Sequence, residues 1–484
     1  MEIIKLPKPV DTYKYSENVK NLDQYYGLPS KVEYCKKCVI TNQRPNSAVE
    51  YNHTILTKKK TIHFDEKGIC DACNFANKKN NEIDWQLREK ELIELCNKHR
   101  KNDGSYDCLV PGSGGKDSFY ASHILKTKYN MHPLTVTWSP LKYTDIGFEN
   151  LQNFNHAGFD IIMGIAKGDV SRRLARDSMI EMGDPFQPFI YGQYLFPMSV
   201  AAKFNIELVF GGENAEVEYG GFDNNKKGFL QKDRDIDDFE KAFFSKISLD
   251  FWLEHGYSKK DLQTFLQCNK DEIKRKKIKR YYYSYFREWS NHNNFYYAAE
   301  NTGFKPNIHR TEGTYTKYSS IDDRIDGFHH WFALIKFGHG RCTSNAAREV
   351  REGFITREEA VSLVKRAGKL ENKEKNDKAK KLYSKAFSKF EKAYSKDKNN
   401  PDILNYLGYT SRKTGNFKEA EKFYLKGLNI KPNHNGINEY LGELYVQTNR
   451  IDKANERLAV LKNCGCKEYS ELELIIKTRG VKVY

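Results

Sequence analysis

Two sets of residues have the types and spacing to do chemistry. The first is Ser113-Gly114-Gly115-Lys116-Asp117-Ser118, which follows the short apolar run from Tyr106 through Val110 and Gly112 and opens a helix-like segment. Without Cβ atoms, Gly112, Gly114 and Gly115 let backbone N–H groups approach an anion, and the helix N-terminus behind them favours negative charge. Lys116 adds a point charge, and Asp117 or Ser118 is placed to cap the helix. The stretch therefore reads as a phosphate cradle. It departs from the Walker form, because Gly112 leaves too few residues before Gly-Lys and Asp117 stands where Ser or Thr belongs. It departs from the dinucleotide form because Asp117 replaces the third glycine. The second set is Cys35-x-x-Cys38 and Cys70-x-x-Cys73. Four thiolates in two knuckles close a tetrahedral zinc without an open position, which makes such a site structural. Metal-free thiols and an iron–sulfur cluster are the alternatives.

Weaker signals lie elsewhere. Gly211-Gly212-Glu213-Asn214 ends an apolar run and brings a carboxylate and an amide to a strand end. Asp322-Asp323 are paired carboxylates suited to magnesium or a substrate cation. Lys336 and Arg341 flank a glycine turn and can bracket phosphate oxygens, with His339 between them as a proton carrier. Ordinary ion pairs and turns would produce the same strings.

Elements must position these residues. Apolar runs begin near Tyr106, Pro133, Asp160 and Glu207, separated by segments with helical spacing such as Ile146, Leu151 and Phe154. Alternation of this kind implies a parallel sheet with right-handed crossovers and ligands at the carboxyl ends of its strands. Val136 and Thr137 would then lie beside a bound base. From about Asp235 the pattern turns helical, basic and aromatic, with Tyr281-Tyr282-Tyr283, Trp289 and Phe295-Tyr296-Tyr297; buried helix packing accounts for it better than base stacking does. From Lys369 the composition shifts to Glu, Lys and Asn. Then Leu407-Gly408, Ala420, Tyr424, Gly427 and Pro432, echoed by Leu441-Gly442, Tyr445 and Ala454, fall at tetratricopeptide positions, and Ala386, Phe390 and Ala393 suggest an incomplete unit before them. The expected domains are 1–80 (N-terminal segment and zinc ribbon), 81–234 (nucleotide binding), 235–368 (helical substrate part) and 369–484 (repeats).

The 484 residues carry a net charge of +16, which raises nucleic acid as a partner. Most of that charge sits in 271–280 and 365–400, two helix-like segments whose solvated faces explain it. No stretch approaches the roughly 18 apolar residues of a membrane span and none follows Met1, so a cytoplasmic protein is expected.

The loop Ser113–Ser118 resembles the pyrophosphate loop of ATP pyrophosphatases. With the cysteine knuckles, Gly212-Glu213-Asn214, Glu218-Tyr219-Gly220-Gly221, Ile321-Asp322-Asp323 and Lys336-Phe337-Gly338-His339-Gly340-Arg341, residues 30–366 resemble the N-acetyl sugar amidotransferase family of surface-polysaccharide synthesis, including lipopolysaccharide O-antigen. The resemblance implies an α/β fold: a parallel-sheet ATP-pyrophosphatase domain, like the adenine nucleotide alpha hydrolases, with an N-terminal zinc ribbon and an all-α tetratricopeptide-like C-terminal domain. It implies ATP, Mg2+ and Zn2+ as cofactors, a nucleotide-linked N-acetyl sugar as substrate, and ammonia from a separate glutaminase. The cofactor-binding residues would be Ser113, Gly114, Gly115, Lys116, Asp117, Ser118, Val136, Thr137, Gly212, Glu213 and Asn214. Lys116, Asp117, Lys336 and Arg341 would carry the reaction. Glu2 rather than cysteine follows Met1, so no N-terminal-nucleophile glutaminase is expected within the chain. The repeat tail departs from the core family and suggests a protein partner. A tRNA-thiolating ATP pyrophosphatase, with Cys342 as its thiol, and a non-enzymatic repeat adaptor are the competing readings.

Overall fold

The computed structural model describes residues 22–25, 27–45, 58–220, 231–244, 247–266 and 268–478. Gly221 and Glu2, named above, lie outside them. The chain forms two compact units, Met1–Gly368 and Lys369–Tyr484.

In the first unit, helices α1 (Asp71–Asn81) and α2 (Trp85–His99) lead into the sheet, α2 starting where the Asp84 carboxylate accepts from the N–H groups of Gln86 and Leu87. Then β1 (Cys108–Pro111), α3 (Lys116–Thr127), β2 (Pro133–Trp138), α4 (Asp145–His156) and β3 (Ile161–Gly164) alternate as the sequence predicts. Helices α5 (Gly168–Met182) and α6 (Gln187–Lys203) precede β4 (Leu208–Gly211) and the one-turn helix α7 (Ala215–Glu218). The strand order is β3-β2-β1-β4-β6-β5, where β5 is Asp233–Arg234 and β6 is Lys279–Tyr282. All pairings are parallel except β5 with β6. Strand β6 corrects the expectation of a purely helical stretch after Asp235. Its Lys-Arg-Tyr-Tyr sequence lacks an apolar run because its burial is only partial.

Alternation along β1 builds two cores. Cys108 and Val110 face α2 and α3 in a cluster with Leu92, Phe210 and Phe286, whereas Leu109 faces α6 with Leu134, Met198 and Val209. The central strands β1 and β4, covered on both faces, are accordingly continuous apolar runs. Full burial of Leu109 or Phe210 contributes about 1.5–3 kcal/mol each. The aromatic residues Tyr283, Phe286 and Trp289 belong to this core, which explains them as packing.

Beyond β6 come α8 (Asn291–Thr302), α9 (Asp326–Phe337), α10 (Arg341–Arg351) and α11 (Arg357–Lys396). In the N-terminal segment expected to form a zinc ribbon, Thr61 and Phe64 make single antiparallel bridges to Pro45 and Cys70.

The second unit pairs α12 (Pro401–Thr414) with α13 (Phe417–Ile430) and α14 (Asn435–Gln447) with α15 (Ile451–Leu461), followed by α16 (Lys467–Lys477). Ala420, Tyr424, Leu441 and Ala454 are fully buried, as repeat positions require. Ala386, Phe390 and Ala393 lie on the last turns of α11, where Phe390 stacks on Tyr406 with ring centroids 5.1 Å apart. The incomplete unit is thus one helix added to the first pair.

Candidate active site and metal centre

The strand order reverses between β1 and β4, because β1 continues to β2 on one side while β4 lies on the other. Ligand crevices form at such a switch point. Here the loops after both strands open on a cavity of about 600 Å³, lined by Gly112–Ser118, Val136, Gly212, Glu213, Arg280, Asp322, Asp323 and His329 among others.

Gly114 sets the shape of the cradle. Its φ is +85°, and a Cβ there would lie 2.8 Å from the Leu151 backbone. A side chain is excluded by conformation and by space. Helix α3 begins at Lys116, with Gly115 at the N-cap and no side-chain cap. Asp117 and Ser118 therefore do not cap, contrary to expectation, and sit inside the first turn. The Asp117 carboxylate pairs with Lys116 Nζ and accepts from Asn294 Nδ2 at 2.9 Å, so α8 holds it in place. Lys116 is buried yet lines the cavity. Ser118 Oγ donates to the Gly115 carbonyl at 2.9 Å.

The two flanking strands support the cradle. Val136 lines the cavity, while Thr137 does not; its Oγ1 donates to the Gly112 carbonyl at 2.5 Å and fixes the loop from below. Gly212 and Glu213 line the opposite wall. The Glu213 carboxylate accepts from Tyr219 Oη and pairs with Arg348 at 3.3 Å. Asn214 is buried behind this wall, where its N–H donates to Ser284 Oγ at 3.0 Å and both polar side-chain atoms lack a hydrogen bond.

A third wall comes from the stretch 320–330. Gly147 makes this possible: a Cβ on it would lie 2.4 Å from Asp322 Cα, so α4 meets the Asp322 backbone directly. Burial, opposed by the nearby Ser113, raises the pKa of the Asp322 carboxyl. Asp323 is pushed up to about 7, first by burial and then by Asp322 and Asp326. One of its oxygens accepts from the Ile325 N–H at 2.8 Å, and the other is buried without a hydrogen bond.

Lys336 and Arg341 are not brought into this cavity. Lys336 Nζ donates to the Met182 carbonyl at 3.4 Å, in the last turn of α9. Arg341 is buried, donating to the carbonyls of Glu312 (3.3 Å) and Ser319 (2.5 Å) and facing Asp326 at 3.6 Å. Its observed contacts order the third wall. His339 is half-buried, and desolvation with Arg44 and Arg351 nearby pushes it down to about 3, so it stays neutral. Among the described residues, Lys116 and Arg280 line the cavity as permanent cations, the latter over the Tyr194 ring at 4.3 Å. Sequence reasoning missed Arg280 because the strand that carries it was unrecognised. It also passed over His329, which lines the cavity and bonds through Nδ1 to Asp184 Oδ2 at 2.8 Å.

The four knuckle cysteines converge. Cys35, Cys38, Cys70 and Cys73 are fully buried, and their Sγ atoms all lie within 4.8 Å of one another, with Cys35 to Cys73 at 3.9 Å and Cys38 to Cys70 at 3.7 Å. Four ligands at about 2.3 Å from a tetrahedral ion would be about 3.8 Å apart, so the set fits one metal ion. Backbone N–H groups of Cys38 and Cys70 point at Cys35 Sγ at 3.4 and 3.3 Å. This centre packs against Ala346 and Ala347 of α10, and Arg357 binds the carbonyls of Cys35 and Cys38. Lys79 of α1 pairs with Glu218 at 3.2 Å and donates to the Trp289 carbonyl at 2.8 Å. The knuckles thereby buttress the segment that carries Glu213.

No cysteine lines the cavity among the described residues. Cys108 is buried in β1, and Cys342 is buried on α10 against the Leu363 carbonyl. No helix among the described residues is long and apolar enough to cross a membrane.

Comparison with known proteins agrees with parts of this picture. Residues 312–406, which include the third wall, match the family of LPS biosynthesis protein WbpG-like, C-terminal domain. Residues 401–434 match a tetratricopeptide repeat. An uncharacterized protein of Methanocaldococcus jannaschii is 37% identical over 84 residues, which are 17% of this chain and 29% of that protein's length. An NH3-dependent NAD synthetase from Campylobacter jejuni, solved with a nitrate ion, aligns over 47% of this chain and all of its own at 14% identity, with a TM-score of 0.23. Residues 312–406 are thus similar to the WbpG-like lipopolysaccharide-biosynthesis C-terminal domain and residues 401–434 to a tetratricopeptide repeat, in agreement with the resemblance read from the motifs.

Proposed function

We propose that the protein is an ATP-dependent amidotransferase that converts the acetamido group of a nucleotide-linked sugar into an acetamidino group. The observation that carries this reading is that Asp322 and Asp323, inside the WbpG-like match, close the same cavity as the Ser113–Ser118 cradle. A lipopolysaccharide-type segment and a phosphate loop facing one cavity suit a sugar substrate activated by ATP.

An amide oxygen is a poor leaving group. The amide oxygen attacks the α-phosphate, pyrophosphate departs, and the resulting O-adenylyl imidate loses AMP when ammonia attacks its carbon. The N–H groups of the cradle, Lys116 and Arg280 neutralise charge that grows on the departing pyrophosphate. In this reading Arg280 takes the role that sequence reasoning gave to Lys336 and Arg341, and those two become supports of the third wall. When bound, Mg2+ would supply further positive charge to the phosphates. Asp117, Asp322 and Asp323 are oxygen donors suited to hold it, and the buried unbonded oxygen of Asp323 fits that role. Zn2+ is the ion that best suits four buried thiolates, in a structural role. Ammonia comes from a separate glutaminase, and the repeats recruit a protein partner. The protein works in the cytoplasm, where nucleotide-linked sugars and ATP meet.

The test is incubation of the full chain with ATP, MgCl2, ammonium chloride and a panel of nucleotide-linked N-acetyl sugars. One AMP per turnover is expected, with a product about one mass unit lighter because NH replaces O. Release of AMP only when tRNA is present would favour thiolation instead. The placement of Cys108 and Cys342 away from the cavity argues against that outcome.

A further inference from the structure

Attack by ammonia creates a problem that the cradle does not solve. The nitrogen that joins the imidate carbon carries a positive charge, and the adduct reverts unless a proton leaves it before AMP does. A proton acceptor is needed on a cavity wall.

His329 occupies such a position. It lies on the first turn of α9 and lines the cavity. Its Nδ1 is 2.8 Å from Asp184 Oδ2, in the short connection between α5 and α6. Asp184 is only 4% exposed, and its other oxygen accepts from the Phe186 N–H at 3.0 Å. A carboxylate fixed in this way holds Nδ1–H and leaves Nε2 as the ring atom that exchanges protons. The Phe186 ring, with its centroid 5.3 Å away, confines the imidazole further.

We propose that His329, oriented by Asp184, accepts the proton that ammonia loses after attacking the adenylated amide. This rests on the amidotransferase reading. The amide nitrogen keeps its proton on adenylation, so the intermediate is the protonated imidate; the C–N bond to ammonia forms, one proton passes from the new ammonium nitrogen to Nε2, the C–O bond breaks, AMP leaves as the dianion and the product leaves as the amidinium. His329 then releases its proton to solvent. The charges facing His329 are Asp184 from the α5–α6 connection and Asp326, His330 and Lys336 from its own helix. The carboxylates outweigh burial and Lys336 and raise its pKa, which suits a base working near neutrality. The neighbouring His330 has the opposite balance: burial and Arg341 push it down, so it stays neutral.

The full-length His329→Gln and Asp184→Asn variants test this with the sugar that yields AMP in the parent protein. His329→Gln should retain sugar-dependent exchange of pyrophosphate into ATP while amidine formation falls about 10²- to 10⁴-fold. Asp184→Asn should move the acidic limb of the amidine-formation profile to lower pH, and Asp184→Glu should restore part of the rate. Equal loss of exchange and amidine formation in His329→Gln would overturn the proposal. Without any substrate, NMR titration of the His329 imidazole should show a pKa above the usual histidine value that falls in Asp184→Asn. A titration indifferent to Asp184 would also overturn it. If no sugar yields AMP in the parent protein, the amidotransferase reading fails by itself, and the titration still reports on the dyad.

Discussion

At the scale of residues, the proposed chemistry depends on a few side chains whose environments differ sharply. Lys116 is buried beside Asp117, and Asn294 holds that carboxylate from α8. Lys116→Ala or Asp117→Ala should lower AMP formation by about 10²- to 10³-fold, the usual loss for one electrostatic contact in a closed site, with melting little changed. A rate assay beside thermal unfolding checks this, and normal turnover would remove the cradle from the mechanism. Asp323 makes a pH prediction. Its carboxyl titrates at about 7 in the folded protein against an ordinary value of 3.8. A raised carboxyl favours folding below its unfolded pKa, and that contribution is lost as pH rises to the folded value. In magnesium-free buffer Asp323→Asn should therefore stabilise the protein at pH 8 by up to about 4 kcal/mol, and by much less at pH 4. Equal effects at both pH values would show that burial does not govern this group.

At the scale of elements, the knuckles matter as a brace. They pack on α10, bind Arg357 and hold α1, whose Lys79 reaches Glu218 and Trp289. Cys35→Ser should leave three thiolates around a site built for four, and metal binding there is coupled to folding. Purified parent protein should contain about one equivalent of zinc, and the variant should be insoluble or melt at much lower temperature. A stable, active, zinc-free protein would end the structural assignment.

At the scale of the whole molecule, the proposed function gives the two compact units separate tasks. The cavity and its three walls lie within Met1–Gly368, and the repeats build a core of their own around Tyr424, Leu441 and Leu444. Truncation after Arg366 should preserve ammonia-dependent AMP formation, while recruitment of a partner fails. A soluble, folded truncation without that activity would show that the tail contributes to the site.

The sequence by itself determined what is local. Spacing located the cysteine pairs, because two-residue separations within each knuckle suffice to aim both thiols at one point. Glycine content located the cradle, since the chain can turn that tightly at Gly114 only without a side chain. Apolar runs located β1 to β4, and the repeat period located the helices after Pro401. Tertiary structure decided what is distant. β6 is half-buried at the far side of the sheet, so its sequence carries no apolar run, and Arg280 went unseen with it. Lys336 and Arg341 had the right charges at a plausible spacing, but α9 turns one toward Met182 and α10 buries the other among carbonyls. His339 and His329 are equivalent as letters. Only packing separates them, because one is desolvated beside arginines and held neutral while the other meets Asp184, 145 residues earlier in the chain, at the wall of the cavity.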